Sequence, residues 1–200
     1  MPTARETLLE AAHAAVGTQP WTGVRMVDVA AAAGVSRQTL YNEFGSKEGL
    51  GAALVSRLVE DFLDGAARAV AEAGRKGADP AACCAAAAAW MLRTAREEPI
   101  VHAALTGCWG ARMPLPAPAR HAPAGGLPGE PGALAVVLRN RAVSGLGSPA
   151  APGGQPVLER AYEAGLRIAL SYVVAESGDP DDETCGRVDE VVRALLESAP

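Results

Sequence analysis

Apolar positions along the chain recur at helical spacing, and no run alternates in the way a half-buried strand would. Leu8, Leu9, Ala12 and Val16 fall on one face and predict a helix over about 3–17, closed by Gly17. After a short connection beginning at Trp21, the pattern predicts a helix over about 26–33 ended by Gly34. Another follows over about 37–44, with Ser36 as N-cap and Gly45 as its stop. Ser46 then caps a long helix to about Ala73, with Glu48 in the first turn, where the helix dipole favours an acid. The run GRKGADP over 74–80 breaks the pattern. Helices are predicted next over about 81–97, stopped by Pro99, and over about 100–109, ended at Gly110. Residues 110–132 are too rich in Pro and Gly to hold a helix ladder and read as a mobile or extended loop. A helix over about 133–144, a second Gly/Pro loop over about 145–156, and helices over about 157–177 and 181–198 joined by GDPDD complete the pattern. The fold class is all-α, with residues 1–47 as an N-terminal three-helix domain and 48–200 as a C-terminal helical bundle.

Within the first domain, Ala30, Gly34 and Leu40 have the spacing of a helix-turn-helix. A small residue at 30 lets two helices approach, Gly34 accepts a left-handed turn conformation, and Leu40 buries against the preceding helix. Val35, with Val27 or Val29, completes the apolar contact. The second helix is then free to present Arg37, Gln38, Thr39, Tyr41 and Asn42 outward. Arg and Gln can pair with base edges, and Thr can donate or meet a thymine methyl. Tyr41 and Lys47 suit phosphates, which fix register without reading sequence. The backbone amides from Ser46 to Glu48, at a helix N-terminus, also favour a phosphate.

The run DVAAAAGVSRQTLYNEFGSKEGL resembles the signature of the tetracycline-repressor (TetR) family of bacterial regulators. The resemblance lies in Val29-Ala30, Ala33-Gly34-Val35-Ser36, Thr39-Leu40-Tyr41, Phe44 and Ser46-Lys47-Glu48, and with the first helix it covers about a quarter of the chain. It implies a DNA-binding transcriptional regulator, a repressor acting as a homodimer on a near-palindromic double-stranded operator, with the C-terminal bundle serving for effector binding and dimerisation. The DNA-binding residues it and the outward face imply together are Arg25, Ser36, Arg37, Gln38, Thr39, Tyr41, Asn42 and Lys47. One departure stands out: where members often carry Thr or Ser before the second helix, this chain has Val24 and Arg25. Arg25 is then the candidate phosphate ligand and Thr22 the candidate cap.

Charge changes this picture. The net charge of -5 disfavours a polyanion, and residues 1–50 carry Arg5, Arg25, Arg37 and Lys47 against Glu6, Glu10, Asp28, Glu43 and Glu48, a local balance of -1. One copy looks too weakly basic to bind alone, which favours a dimer. Two apolar stripes offer an interface: Leu158, Tyr162, Ala169 and Val173, and Val188, Val191, Val192, Leu195 and Leu196, expected to pair with their symmetry mates as four helices.

For the effector, Trp90 and Thr94 share a predicted helix face, and His102, Thr106 and Trp109 another. With two tryptophans near a Pro/Gly loop, these residues suggest a pocket wall and lid for an unknown, largely hydrophobic small molecule. The four cysteines, Cys83, Cys84, Cys108 and Cys185, have no framework or metal spacing. No metal and no cofactor is expected, and no catalytic motif argues for an enzyme. There is no long apolar span for a membrane, and MPTARETLLEAA is unlike a secretory signal, so a cytoplasmic protein is expected. Two alternatives remain open: a thiol-sensing regulator on the same scaffold, using Cys83, Cys84 or Cys108, and a helical ligand carrier that does not bind DNA.

Overall fold

A computed structural model describes residues 2–117, 130–147, 154–175 and 180–198. The predicted loops over 110–132 and 145–156, and the turn GDPDD, fall partly outside the described residues. Among those described there are nine α-helices and no strand: α1 (Ala4–Thr18), α2 (Met26–Ala32), α3 (Arg37–Phe44), α4 (Lys47–Arg75), α5 (Pro80–Glu97), α6 (Pro99–Thr106), α7 (Pro131–Gly145), α8 (Gly154–Val174) and α9 (Asp181–Glu197). The chain is therefore all-α, as its periodicity predicts. It divides into two compact units, Met1–Val59 with the described part of Cys108–Gly129, and Glu60–Gly107 with Glu130–Pro200. The long helix α4 contributes to each.

In the first unit, Thr3 starts α1 through a capping box. Its hydroxyl accepts from the Glu6 amide at 3.2 Å, and its own amide donates to the Glu6 carboxylate at 2.6 Å. That amide holds the Glu6 carboxyl below the usual carboxylate range. Leu8, Leu9 and Ala12 of α1, Val29 and Ala30 of α2, Leu40 of α3, and Leu50 and Leu54 of α4 are all buried, so the predicted face of α1 is the core face. Gly17 does not close α1; it keeps an ordinary helical conformation, and the helix ends one residue later at Thr18. A single 3₁₀ turn, Trp21–Gly23, follows. Thr22 is inside that turn and makes no cap bond to α2, whose N-cap position is held by Arg25 without a side-chain cap.

In the second unit, α5, α8 and α9 pack on one another, α7 lies on α8, and α6 contacts α5, α7 and α8. This corrects the expectation for the two C-terminal stripes. Leu158, Tyr162, Ala169 and Val173 of α8, and Val188, Val192 and Leu196 of α9, are buried within one chain. The reason is Gly165. A Cβ there would stand 2.6 Å from Val192 Cγ2 and 3.1 Å from Cys84 Sγ, so only glycine lets α8 close onto both α9 and α5. The Tyr162 hydroxyl, buried with its ring, donates to the Pro80 carbonyl at 2.8 Å, which satisfies the one polar atom the stripe carries inward. Of the stripe residues only Leu195 is well exposed, at 41%, with Val191 half-buried beside it.

The helix expected over 100–109 is shorter. Gly107 takes a left-handed conformation (φ 75°) and its amide closes the last turn onto the Ala103 carbonyl, so α6 ends at Thr106. Trp109 therefore lies outside the helix and does not share a face with His102 and Thr106. No helix among the described residues is long and apolar enough to cross a membrane.

Candidate nucleic-acid interface

The α2–α3 turn is built by local rules. Gly34 has φ +68°, the left-handed region, with open space where a Cβ would stand, so the demand for glycine is conformational and not steric. The Val35 amide donates back to the Ala30 carbonyl at 3.0 Å. Ser36 caps α3, its hydroxyl accepting from the Thr39 amide at 3.0 Å, and the Ser36 and Thr39 hydroxyls share a hydrogen bond of 2.8 Å. Ala30 and Leu40 are buried where the two helices meet, and Val29, not the exposed Val27, completes the contact.

This leaves one face of α3 outside. Arg37, Gln38, Tyr41 and Asn42 are exposed, Tyr41 at 43%. Arg37 and Tyr41 have no partner among the described residues. The Gln38 amide donates to the Asn42 carbonyl oxygen at 2.8 Å, an i,i+4 pair that holds both side chains along the exposed face. Ser36 is exposed and Thr39 half-buried, and their shared contact turns both toward the helix start. The set Ser36, Arg37, Gln38, Thr39, Tyr41 and Asn42 is thus brought together on under two turns.

Arg25 and Lys47 are placed differently. Arg25 forks onto Asp28, Nε to Oδ2 at 2.7 Å and Nη2 to Oδ1 at 2.9 Å, at the exposed start of α2. This contact raises the guanidinium pKa further and spends its charge locally. The Lys47 ammonium donates to the Thr22 carbonyl at 3.1 Å and stands 5.4 Å from the Trp21 ring centroid. The N-terminus of α4 is partly self-occupied: the Glu48 carboxylate takes its own backbone amide and the Ser46 hydroxyl, which pulls its pKa down. Arg5, which the sequence pattern did not single out, donates to the Glu43 carbonyl at 3.4 Å and lies 4.7 Å from the Phe44 ring centroid, fixing α1 to the end of α3.

The five residues expected to hold an effector do not converge. The Trp90 indole N–H donates to the Phe62 carbonyl at 2.9 Å, and Arg93 covers the ring at 5.1 Å. Thr94 is half-buried on α5. The Thr106 hydroxyl donates to the His102 carbonyl at 2.8 Å, and Trp109 belongs to the first unit. Of the five, only His102 borders the cavity of about 450 Å³ in the second unit. Leu92, Ala95 and Val173 line that cavity with apolar side chains, and Arg96, Tyr172 and Asp181 with polar ones. The lining comes from α5, α6, α8 and the start of α9, and no local pattern in the sequence could have joined it.

Cys83 and Cys84 are buried and Cys185 half-buried, and burial pushes all three thiols up, Cys84 furthest, which disfavours the thiolate. Cys108 is exposed.

A capped turn, a buried Ala30–Leu40 contact and an outward polar helix define a helix-turn-helix protein of the DNA-reading kind. Residues 8–54 match the family model of bacterial regulatory proteins of the tetR family. The chain is also 43% identical over 60 residues to the HTH-type transcriptional regulator AlkX of Mycobacterium tuberculosis (strain ATCC 25618 / H37Rv), a match spanning 30% of this chain and 28% of that relative's length. Over whole chains, the structure is similar to the TetR family repressor AlkX from Dietzia sp. strain DQ12-45-1b, implicated in biodegradation of n-alkanes. There the TM-score is 0.61 at 21% identity, covering 99% of this chain and 98% of that one. It is also similar to a tetR-family transcriptional regulator from Streptomyces coelicolor, with TM-score 0.57 at 19% identity over 100% and 83% of the two chains. Residues 8–54 thus match the DNA-binding domain of the tetR family, and over the whole chain the fold is like that of these solved structures.

Proposed function

We propose that the protein is a ligand-responsive repressor that binds a near-palindromic DNA operator as a homodimer. The observation that carries this reading is the exposed face of α3, where Arg37 and Tyr41 have no partner among the described residues, beside the aligned Gln38–Asn42 pair. Arg37 and Gln38 read base edges, with Thr39 and Asn42 beside them; Tyr41, Lys47, Ser36 and Arg25 meet phosphates. Arg25 must leave Asp28 to do so, which makes it the weakest of these contacts. The DNA-reading domain is residues 1–47, and the rest of the chain serves dimerisation and the effector.

The dimer forms through the outer faces of α8 and α9. Val174 is 64% exposed and Leu195 41% exposed, and Ile168 and Val191 are half-buried on the same two helices. Two reading helices about 34–36 Å apart would then enter successive major grooves. The effector is placed in the 450 Å³ cavity, a size in the range of small-molecule sites. Its lining, Leu92 and Val173 together with His102, Tyr172 and Asp181, suits an apolar body with one hydrogen-bonding or ionised end. The Mycobacterium relative matches over only 60 residues, less than a third of either chain, so it does not bear on the effector.

The test is selection of bound fragments from genomic DNA, followed by titration of the selected fragment. Arg37→Ala should weaken binding by about 1–3 kcal/mol and relax sequence preference at one position of each half-site. Tyr41→Phe should weaken all sequences alike. Unchanged affinity in both variants would rule out α3 as the reading element.

A further inference from the structure

Part of the Pro/Gly-rich segment that follows α6 is docked. Its described part, residues 108–117, belongs to the first unit with Trp21 and the start of α4. The Trp21 amide donates to the Arg112 carbonyl at 2.7 Å. Pro114 is buried, and a Cβ on Gly51 would stand 3.0 Å from Pro114 Cβ and 2.9 Å from Trp21 Cζ2. Gly51 is therefore the gap into which both the proline and the indole edge fit. Trp21 itself is 8% exposed. Its ring and the neighbouring Thr22 carbonyl form the cradle of the Lys47 ammonium, at 5.4 Å and 3.1 Å.

We infer that residues 108–117 act as a strap that positions Trp21 and, through it, the Lys47 ammonium that meets a DNA phosphate. Pro114 and Trp21 are positioning residues: neither touches DNA, and each acts through Lys47. The physical reason is that a lysine stem is long and flexible, so an unheld ammonium loses rotamer freedom on reaching a phosphate. With Trp21 locked by a backbone bond on one side and Pro114 beside Gly51 on the other, the ammonium is held at one place before DNA arrives. The strap leaves the second unit at Gly107, directly after α6, so it is also a covalent route from that unit to a DNA contact.

The inference rests on the DNA-binding reading above, and the experiment separates the two. The selected DNA fragment is titrated at several salt concentrations with wild type, Lys47→Ala, Pro114→Gly, Gly51→Ala, Trp21→Phe, Arg37→Ala and the Lys47→Ala/Pro114→Gly double variant. Lys47→Ala should weaken all sequences alike and reduce the slope of log affinity against log salt by about one per bound copy. Pro114→Gly and Gly51→Ala should reproduce that loss of slope in part, and the double variant should lose no more than Lys47→Ala alone. Trp21→Phe keeps an aromatic face and should retain most of the slope. Circular dichroism and thermal melting check that each variant is folded; Gly51→Ala serves if Pro114→Gly is not. Wild-type slope and affinity in a folded strap variant, or losses that add in the double variant, would overturn the strap. If Arg37→Ala weakens binding and the strap variants do not, the strap alone fails. If wild type binds no DNA, both readings fail.

Discussion

Trp90 lies so close to Gly65 that a Cβ on that glycine would stand 2.1 Å from the indole Cζ2 and 2.7 Å from its Nε1. The indole N–H is at the same time bonded to the Phe62 carbonyl one turn earlier on α4. Gly65→Ala must therefore push the ring out and break that bond. A destabilisation of about 1–3 kcal/mol is expected, as for overpacking in a well-filled core, with a red-shifted tryptophan emission. A melting temperature and emission maximum equal to wild type would show that the ring has room to move. The rarity of tryptophan marked Trp90 as a residue with a task, but the sequence pointed to an effector wall. The glycine that receives it is on another helix, and hydrophobic spacing records no partner. The α3 residues were legible for the opposite reason: Ser36, Gly34 and Leu40 act on neighbours within a few positions, so the whole turn is written locally.

Elements end where a cap wins, and the two ends misjudged from sequence illustrate this. The run after Pro99 offers Gly107 and Gly110 as stops, and the first takes the left-handed conformation, which withdraws Trp109 from α6. In α1 the glycine at 17 stays helical, since the Gln19 amide can still reach the Ala15 carbonyl at 3.0 Å. The start of α5 is held by more than its own cap. The Asp79 carboxylate accepts from the Ala82 amide at 2.9 Å, and Arg193 of α9 reaches it at 2.6 Å while also pairing with Asp189 at 2.9 Å. The guanidinium and then the amide hold the Asp79 carboxyl below its usual value. A depressed folded pKa gives stability that is present above the unfolded value, about 3.9, and is lost as pH falls through the folded value. Asp79→Asn keeps the capping oxygen and removes the ion pair. Melting temperatures of wild type and Asp79→Asn should thus differ most near neutral pH and converge on acidification to about pH 2–3. Because the pair is partly exposed, the gap should be small and should shrink in high salt. A gap that widens in acid would contradict the assignment.

Across the whole molecule, periodicity revealed amphipathic helices in α8 and α9 but not which neighbour covers their apolar faces. A stripe buried against α5 and one buried against a second copy read alike in a sequence. Gly165 settles the matter by drawing α9 and Cys84 onto α8, so the stronger stripe is used within the chain. What remains outside on these two helices includes Val174 and Leu195, their most exposed large apolar residues and the ones assigned to the proposed dimer face. Charge makes that face matter. With a balance of -1 over residues 1–50 and -5 over the chain, a single copy has little electrostatic hold on DNA, which supports the proposed dimer. Placing like charges across the two-fold tests this. Leu195→Arg combined with Val174→Arg leaves the buried stripe of Val188, Val192 and Leu196 untouched, so helical content and melting should stay close to wild type. Sedimentation equilibrium should report a monomer, and affinity for a full palindromic site should fall at least about 100-fold toward that for a half-site. The two added arginines would favour DNA non-specifically, which makes such a fall the more telling. A variant that stays dimeric, or a monomer that binds the full site as tightly as wild type, would move the dimer interface away from α8 and α9.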